Sequence, residues 1–368
     1  MKKLIVFFKK ETVLCVAGLA ALVTVFFVPP SVEYIDYIDF RVLALLFCLM
    51  AVVAGLGKAG LFEMLSGRLT AGLKNSRTLC LILVLLCFFS SMVITNDVAL
   101  LTFVPFAILS LNAAGQGKRL IPVITLQTIA ANLGSMLTPV GNPQNIYIYS
   151  RYEFTAGEFF SLTLPVTAAS FVLILIGCLL IPSEPLIECP AAQIPKLETK
   201  GLIKYGFLFI DCLLTVFRLI SWQFLLGIIV LFLFLQDRSL FKKVDYSLLL
   251  TFVFFFIFVG NMGEMEAVRS LIGPLIKGRE LLSSVLLSQV ISNVPAAALL
   301  SAFTEEGSAL LLGTNIGGLG SLVASLASLI SYCIYCGSEG ANGGKYLGFF
   351  TVCNVITLIP LTLLGLLL

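Results

Sequence analysis

The chain has 368 residues, of which 59% are hydrophobic and 12% are charged, and its formal net charge is +3 at pH 7. A soluble domain carries about twice that share of charged residues, so the composition excludes a soluble globular protein and favours an integral membrane protein. The chain contains no histidine, which excludes the zinc hydrolases and intramembrane metalloproteases that depend on it. So small a net charge gives no reason to expect a nucleic-acid partner.

Apolar stretches of the roughly 20 residues that cross a bilayer recur along the whole chain. They predict helices at residues 11–29, 39–57, 77–111, 119–151, 159–182, 202–218, 220–236, 245–262, 279–304, 308–336 and 345–367. The first helix follows four lysines and ends in two prolines rather than a small-residue cleavage site, so we expect a retained span. Residues 58–74 and 263–278 mix charged and apolar side chains and are predicted to be amphipathic helices in the membrane interface.

A short polar pattern occurs twice inside the apolar sequence. Residues 91–96 and 288–293 both read S-x-x-I-[T/S]-N, and the second copy begins 197 residues after the first. The copies lie near the centres of the predicted segments 77–111 and 279–304, and they divide each segment into two arms that are short for full crossings. Such arms indicate a re-entrant hairpin whose polar tip lies at membrane depth.

A second pair of segments aligns after these hairpins. Residues 132–145 read N-L-G-S-M-L-T-P-V-G-N-P-Q-N, and residues 315–328 read N-I-G-G-L-G-S-L-V-A-S-L-A-S. Two prolines bracket a glycine in the first segment, so helix 119–151 cannot be continuous there. Its counterpart 308–336 has three glycines just before the matching position and is predicted to be broken as well.

The aligned motifs define two repeats. We expect a first repeat at residues 1–182 and a second at 220–368, joined at 183–219 by a linker and an extra span that inverts the second copy. This gives about nine crossings, two re-entrant hairpins that enter from opposite sides, and two broken helices. With the N-terminus inside, 16 of the 23 lysines and arginines lie on the inner side, in agreement with the positive-inside rule. The predicted fold class is an all-α polytopic membrane protein with an inverted repeat.

The hairpin tips offer oxygen ligands where the helices break. Unwound carbonyls together with hydroxyl and amide oxygens are typical of a sodium site, and the helix N-termini beyond each tip favour an anion. The side-chain oxygens belong to Thr95, Asn96 and Asp97 in the first tip and to Ser292 and Asn293 in the second. A carboxylate at the depth of Asp97 has to pair with an ion, hold a proton or face water. A duplicated polar break of this kind favours a secondary transporter.

These segments resemble the ion transporter superfamily that joins citrate and dicarboxylate/sodium symporters, arsenite permeases and D-type sodium/proton antiporters. The phrases T-N-D-V-A-L-L-T-F-V-P-F, T-P-V-G-N-P-Q-N and S-N-V-P-A-A carry the resemblance, which covers essentially the whole chain. The resemblance implies an elevator motion, in which the hairpins and broken helices move together against a scaffold, and it implies a homodimer.

The resemblance also implies binding residues, to which we add the hydroxyl groups of the tips. The expected ligands of the first sodium site are Ser91, Thr95, Asn96 and the carbonyl of Gly141. The expected ligands of the second are Ser288, Ser292, Asn293 and the carbonyl of Ala324. The expected substrate-binding residues are Asn96, Asp97, Thr138, Asn142, Asn293 and Ser325. The dicarboxylate branch carries Ser-Asn-Thr in each tip, whereas Asp97 and Val294 stand at the threonine positions here.

We therefore predict a secondary transporter, and not an enzyme, that moves a small inorganic or organic anion with sodium ions or protons as coupling ions and without a cofactor. We expect it in the lipid bilayer of a bacterial or archaeal inner membrane, with a cytoplasmic N-terminus. The alternatives are an arsenite efflux permease or a sodium/proton antiporter in which Asp97 titrates. Two closed hairpin tips disfavour a channel, and the lack of a nucleophile triad or paired-aspartate signature disfavours a membrane enzyme.

Overall fold

The computed structural model describes residues 11–186 and 197–368, so the four N-terminal lysines and part of the predicted linker lie outside the described residues. Within these two ranges the chain forms eighteen α-helices, three short 3-10 helices and no β-strand. The α-helices are α1 (Thr12–Val25), α2 (Glu33–Tyr37), α3 (Phe40–Lys58), α4 (Leu61–Thr70), α5 (Ser76–Ser90), α6 (Asn96–Ala113), α7 (Leu120–Ser135), α8 (Pro143–Arg151), α9 (Ala156–Leu179), α10 (Thr199–Val216), α11 (Trp222–Gln236), α12 (Tyr246–Glu264), α13 (Glu266–Ile276), α14 (Glu280–Ile291), α15 (Asn293–Leu300), α16 (Gly307–Gly317), α17 (Leu326–Cys336) and α18 (Gly343–Leu367). The 3-10 helices are Gly117–Arg119, Arg238–Lys243 and Leu322–Ala324.

The predicted class of all-helical, polytopic membrane protein is confirmed. By length and composition, α3, α6, α9, α12 and α18 are long and apolar enough to cross a membrane. Shorter apolar helices or stretches lie at Leu14–Val25, Ser76–Ser90, Trp222–Gln236, Glu280–Ile291 and Leu326–Cys336. The outer helices expose large apolar side chains: Leu231 and Leu235 of α11 are 59% and 69% exposed, and Ile356 and Leu363 of α18 are 66% and 59% exposed. A surface of this kind is suited to lipid rather than water.

The helices are interrupted at the four predicted places. The interruptions are residues 91–95 between α5 and α6, 136–142 between α7 and α8, residue 292 between α14 and α15, and 318–325 between α16 and α17. The two hairpin tips therefore differ in length, although their sequences align. The second arm of the first hairpin, α6, has the length of a full crossing, so the re-entrant course of this hairpin stays a prediction.

One helix was missed by the sequence analysis. Helix α2, Glu33–Tyr37, lies between the predicted helices 11–29 and 39–57, where no helix was predicted. It has five residues, which is too short for the apolar periodicity that identifies longer helices.

Helices α3 and α12 begin in the same way, as their alignment suggests. Asp39 accepts a hydrogen bond at 3.0 Å from the backbone N–H of Val42, and Asp245 accepts one at 2.9 Å from that of Leu248. An aspartate at this position satisfies an N–H that the first turn of a helix leaves free, which stabilises a helix by about 1 kcal/mol.

The helices pack into two groups, and each group contains helices from both halves of the chain. In the first, which we call the scaffold group, α1 packs on α12, while α10 and α11 pack on α3. In the second, which we call the hairpin group, α5 packs on α7 and α14 on α16, and α6 packs on α17 and α15 on α8. Each half of the chain thus supplies helices to both groups. Equivalent helices of the two halves make equivalent pairs. The repeat boundaries and the inversion of the second repeat stay predictions.

Candidate functional site

The first hairpin is joined to the first broken helix by two hydrogen bonds at its tip. The backbone N–H of Asn96, the first residue of α6, donates to the carbonyl of Gly141 at 3.0 Å. The hydroxyl of Thr138 donates to the carbonyl of Met92. The structure therefore places Asn96 beside Gly141, as the predicted first sodium site requires, and it assigns Thr138 to the hairpin contact.

The second hairpin meets the second broken helix through the aligned residues. Ser292 Oγ lies 3.4 Å from the carbonyl of Ala324. Ser321, which aligns with Thr138, donates its hydroxyl to the carbonyl of Gln289 at 3.0 Å, and Gln289 aligns with Met92. The hydrogen bond from Thr138 to the hairpin is thus repeated by the equivalent residue Ser321. The contact at Ala324 is made by the side chain of Ser292, whereas the contact at Gly141 is made by the backbone N–H of Asn96.

The tip of the second hairpin has an unusual backbone. Ser292 has φ 75° and ψ 155°, a region that is populated almost only by glycine and costs about 1–3 kcal/mol for other residues. Thr95, the aligned residue, has an ordinary extended conformation with φ −64°. The strain is therefore confined to one of the two predicted sodium sites.

Glycines allow the broken helices to approach the hairpins closely. A Cβ on Gly134 would clash with the carbonyl of Phe88 and lie 2.7 Å from Ser91 Oγ. A Cβ on the aligned Gly317 would lie 2.8 Å from Ser288 Oγ. Both serines are fully buried. The structure therefore brings each predicted serine ligand against the broken helix of its own repeat.

We expect Gly134→Ala to destabilise the hairpin group, because the new methyl group overlaps a backbone carbonyl that cannot rotate away. Overpacking of this kind costs about 1–3 kcal/mol and should lower the melting temperature of the purified protein. Gly206→Ala is the matched control, since no described atom lies within 4 Å of its Cβ position in α10. Equal melting temperatures for the two variants would contradict this close approach.

Two asparagines link the halves of the protein reciprocally. Asn132, at the end of α7, accepts hydrogen bonds at 3.0 Å from both Asn96 and Ser325, and its amide group lies 3.3 Å from Ser328 Oγ. Its amide group also lies 3.3 Å from the carbonyl of Gly318. One side chain thus joins the first hairpin to the second broken helix.

Asn315 makes the corresponding connection in the opposite direction. It accepts a hydrogen bond from Asn142 at 2.9 Å and donates to Asn145 Oδ1 at 2.7 Å. Asn142 and Asn145 align with Ser325 and Ser328, the partners of Asn132. The sequence analysis aligned Asn132 with Asn315 but did not select either as a site residue. Their shared place at the start of the repeated segment was the available signal.

Four helix N-termini meet around this asparagine network. Asn142 caps α8 by accepting from the N–H of Asn145 at 2.9 Å, and Ser325 caps α17 by accepting from that of Ala327 at 3.2 Å. Helix α6 begins beside Gly141, and α15 begins beside Ala324. Each N-terminus carries a partial positive charge, and four together favour a negatively charged ligand.

A cavity of about 460 Å³ reaches three of these helix ends. On the side of the hairpin group it is lined by Thr95 and Asp97 of the first tip, by Pro143 at the start of α8 and by Leu326 at the start of α17. Helices α3 and α12 of the scaffold group also line the cavity. Both groups therefore contribute to its lining, and the helix N-termini in the lining belong to the hairpin group.

Four charged residues are among the described residues that line this cavity. Asp97 is half-buried there and shares the lining with Asp245, Glu11 and Lys243. Lys243 is the one basic residue among the described residues of the lining. The cavity thus combines helix ends that favour an anion with carboxylates that bind cations or protons.

One buried donor near the cavity has no acceptor. Gln144, in the first turn of α8, is 1% exposed, and its Nε2 has no hydrogen-bond partner among the described residues. Leaving a buried amide unpaired costs about 1–3 kcal/mol. The sequence analysis noted Gln144 in the break but did not assign it a role.

Interrupted helices whose ends meet at a buried polar network beside a cavity define the class of protein: a secondary transporter. The family model described as citrate transporter matches residues 4–310 of the chain. The chain belongs to this family, whose members are transporters rather than enzymes.

Similar proteins agree with this assignment. An uncharacterized transporter of Methanocaldococcus jannaschii is 29% identical over 79% of the chain and 80% of its own length. The inner membrane protein YbiR of Escherichia coli is 31% identical over 77% of both chains. A silicon efflux transporter of Oryza sativa is 33% identical over 35% of the chain and 26% of its own length. The predicted resemblance is therefore confirmed at the level of the superfamily.

Proposed function

We propose that the chain is an ion-coupled secondary active transporter of a small anion, either a citrate-like or dicarboxylate-like organic anion or an inorganic oxyanion. The observation that carries this proposal is the cavity at the N-termini of α6, α8 and α17. Partial positive charges at helix ends attract an anion without a fixed lysine or arginine. The citrate transporter family supports the same substrate class.

Gln144 adds a hydrogen-bond donor to these helix ends, beside the asparagine network, whose amides donate to one another. In this proposal the substrate contacts Asn96, Asp97, Thr138, Asn142, Asn293 and Ser325. Gln144 Nε2, which is buried without an acceptor, would bind an oxygen of the anion. Amide donors of this kind bind carboxylates and oxyanions alike, so the donors support an anion without selecting one.

Sodium ions or protons are the proposed coupling ions. Sodium would bind near the Gly141 carbonyl with Ser91, Thr95 and Asn96, and near the Ala324 carbonyl with Ser288, Ser292 and Asn293. Ser292 Oγ lies 3.4 Å from the Ala324 carbonyl, which supports an oxygen-rich second site of the kind that sodium prefers. At the first site the Gly141 carbonyl accepts the backbone N–H of Asn96, which keeps the two predicted ligands side by side. Asp97 is the proposed group for proton coupling.

We also propose an elevator motion, in which the hairpin group moves against the scaffold group. Its support is the lining of the cavity, to which both groups contribute residues. A sliding of one group past the other would carry the helix N-termini, together with any bound anion, past helices α3 and α12.

We place the protein in a bacterial or archaeal inner membrane with a cytoplasmic N-terminus, and we propose a homodimer.

A thermal-shift screen of the purified protein tests this function. Citrate, succinate, sulfate, phosphate and arsenite would each be added in sodium salts and in choline salts, at about pH 6 and about pH 8. A ligand at one hundred times its dissociation constant stabilises the folded state by about 2.7 kcal/mol. We expect one anion to raise the melting temperature, and to do so more strongly in sodium.

The same screen separates the alternatives. Stabilisation by sodium alone, stronger at the higher pH, would favour a sodium/proton antiporter in which Asp97 titrates. Stabilisation by arsenite alone would favour an efflux permease. The carboxylates in the cavity support these alternatives, as does the partial similarity to a silicon efflux transporter. No shift with any anion or with sodium would contradict the proposed function.

A further inference from the structure

The C-terminal end of α8, in the hairpin group, is joined to the scaffold group by polar contacts that we call the latch. The hydroxyl of Ser150 donates to Asp39 Oδ2 at 3.0 Å, and Asp39 caps α3. The guanidinium of Arg218, which follows α10, donates to the carbonyl of Tyr149 at 3.2 Å and to that of Glu153 at 3.4 Å. It also lies 5.4 Å from the centre of the Tyr149 ring. A cation in this place satisfies carbonyls that the end of a helix leaves free.

The backbone at the latch is strained at two residues. Arg218 and Glu153 have φ values of 63° and 52°, in the left-handed region that residues other than glycine rarely adopt. Ser292 is the other described residue, apart from glycines, with a positive φ. Strain of this kind persists only where surrounding contacts hold it, and it is concentrated in binding sites and switch regions. The latch is therefore a place where a change of conformation can relieve strain.

The second repeat contains equivalent residues that do not make the equivalent contact. Asp245 aligns with Asp39, and extending the alignment of the broken helices by five positions pairs Ser150 with Cys333. Both aspartates use Oδ1 to cap their own helices. In the described part of the chain, however, Asp245 makes no hydrogen bond to α17, and Cys333 is an exposed free thiol. One contact is thus made in the first repeat and left unmade in the second.

The helices of the unmade contact both line the cavity. Helix α12 contributes Asp245 to the lining, and α17 contributes Leu326, Leu329 and Ile330. Cys333 follows Leu329 and Ile330 by four and three residues, so it lies on the same face of α17, one turn further along. The equivalent helices α8 and α3 pack on each other, whereas no comparable packing joins α17 to α12 among the described residues. Closing the cavity between α17 and α12 would bring Cys333 towards Asp245.

We propose that the latch and its unmade counterpart are alternative contacts, each of which holds one end position of the elevator motion. In the position that the structure shows, the latch holds α8 on α3. In the opposite position α17 packs on α12, the thiol of Cys333 donates to Asp245, and Ser150 leaves Asp39. Exchange of equivalent contacts between two repeats gives access to a site from alternating sides. This inference rests on the proposed elevator motion and names the residues that hold its two ends.

The two end positions are not equally stable in this proposal. Arg218 follows the predicted extra span, so the repeat supplies no second copy of it. In addition, a thiol such as that of Cys333 is a weaker hydrogen-bond donor than the hydroxyl of Ser150. Both differences favour the position with the latch closed. A substitution that weakens the latch therefore shifts the population towards the opposite position.

Thiol crosslinking tests the two contacts. Protein in vesicles would be treated with a short bifunctional thiol reagent, and linked peptides would be identified by mass spectrometry. We expect a link in the double variant Asp39→Cys with Ser150→Cys, and a link from Asp245→Cys to the native Cys333. Glu264→Cys, at the other end of α12, is the control and should not link to Cys333. No link between position 245 and Cys333, with or without the anions of the thermal-shift screen, would overturn the exchange.

The two links should also exclude each other. In a variant that carries Asp39→Cys, Ser150→Cys and Asp245→Cys, we expect single molecules to contain either the link at the latch or the link to Cys333. The mass of the intact chain distinguishes one link from two. Molecules with both links would overturn the proposal, because they would show that the two contacts coexist in one position.

Arg218→Gln tests the difference between the two positions. We expect it to raise the yield of the link from Asp245→Cys to Cys333, relative to the latch link, roughly fivefold, the change that the loss of about 1 kcal/mol makes to a ratio of populations. Arg238→Gln is the matched control, because Arg238 donates to the carbonyl of Phe234 in its own helix and lies over that ring. An unchanged ratio in Arg218→Gln would overturn the role of the latch.

Anion uptake separates this inference from the proposed function. We expect the linked double variant Asp39→Cys with Ser150→Cys to lose uptake and to regain it when the link is reduced. Uptake at the wild-type rate in fully linked protein would overturn the latch, while leaving the transport function intact. A lack of uptake by the wild type would instead count against the proposed function, and the exclusion of one link by the other would still decide whether the contacts alternate.

Discussion

Replacing Asn132 with alanine is expected to reduce transport to background, because this one side chain holds the first hairpin and the second broken helix together. It pairs with Asn96, Ser325 and Ser328. Without it, the amide of Asn96 and the hydroxyl of Ser325 lose a buried partner, and each unpaired group costs about 1–3 kcal/mol. We expect the melting temperature to fall by several degrees and the thermal shift by substrate to disappear.

The measurement is substrate uptake into vesicles, with the melting temperature as a check on folding. Asn112→Ala is the matched control, since Asn112 is an exposed asparagine near the end of α6. Asn315→Ala should behave like Asn132→Ala, because it breaks the reciprocal link to Asn142 and Asn145. Normal uptake by Asn132→Ala would show that the network is not part of the transport site. A double-mutant cycle with Ser325→Ala would measure the coupling between the two halves.

The helix breaks were predictable from the sequence because their causes are local. Prolines, glycines and clustered polar residues interrupt a helix wherever they occur, and the repeat made each break visible twice. The predicted sodium sites also placed Asn96 with Gly141, and Ser292 with Ala324. These two contacts are not equivalent in the repeat, since Asn96 aligns with Asn293 and Ser292 aligns with Thr95. The structure brings both pairs together.

The contacts between the halves were not predictable in the same way. Asn132 and Asn315 lie within regular helix, where an asparagine has no local signature. Their partners are set by how α7 and α16 meet the opposite broken helix, which depends on the packing of the whole hairpin group. Likewise, nothing near Asp97 in the sequence indicates that Asp245 and Lys243 share its cavity. The strained backbone of Ser292 was not predictable from the sequence either, because the aligned residue Thr95 has an unstrained backbone.

One of the two departures from the family pattern, Asp97, lies at the cavity in the first tip. Asp97 stands where the dicarboxylate branch has a threonine, and it lines the cavity, whereas Asn96 behind it is buried in the network. The network is therefore built from neutral amides and hydroxyls, and the charge is placed where the cavity reaches it. Proton coupling requires that protonation of one ionisable group change the affinity for the substrate or the balance between conformations, and in the proposed function Asp97 is that group because it is an ionisable group among otherwise neutral substrate contacts.

Asp97→Asn is accordingly expected to abolish the pH dependence of transport while leaving the protein folded and inserted. The asparagine keeps the shape of the side chain in the first turn of α6, where a small polar residue is tolerated, but it cannot exchange a proton. The measurement is the rate of anion uptake into vesicles at about pH 6 and about pH 8, in sodium and in choline. We expect the wild-type rate to change between the two pH values and the variant rate to remain constant.

Asp245→Asn is the matched control for this experiment, because Asp245 lines the same cavity. Its side chain accepts a hydrogen bond from the N–H of Leu248, and asparagine makes the same cap about equally well. If Asp97 is the coupling group, the control retains the pH dependence that Asp97→Asn loses. An unchanged pH dependence in Asp97→Asn would remove this residue from the coupling mechanism. Loss of the pH dependence in both variants would assign the proton to the pair of carboxylates rather than to Asp97 alone, since two nearby acids titrate together.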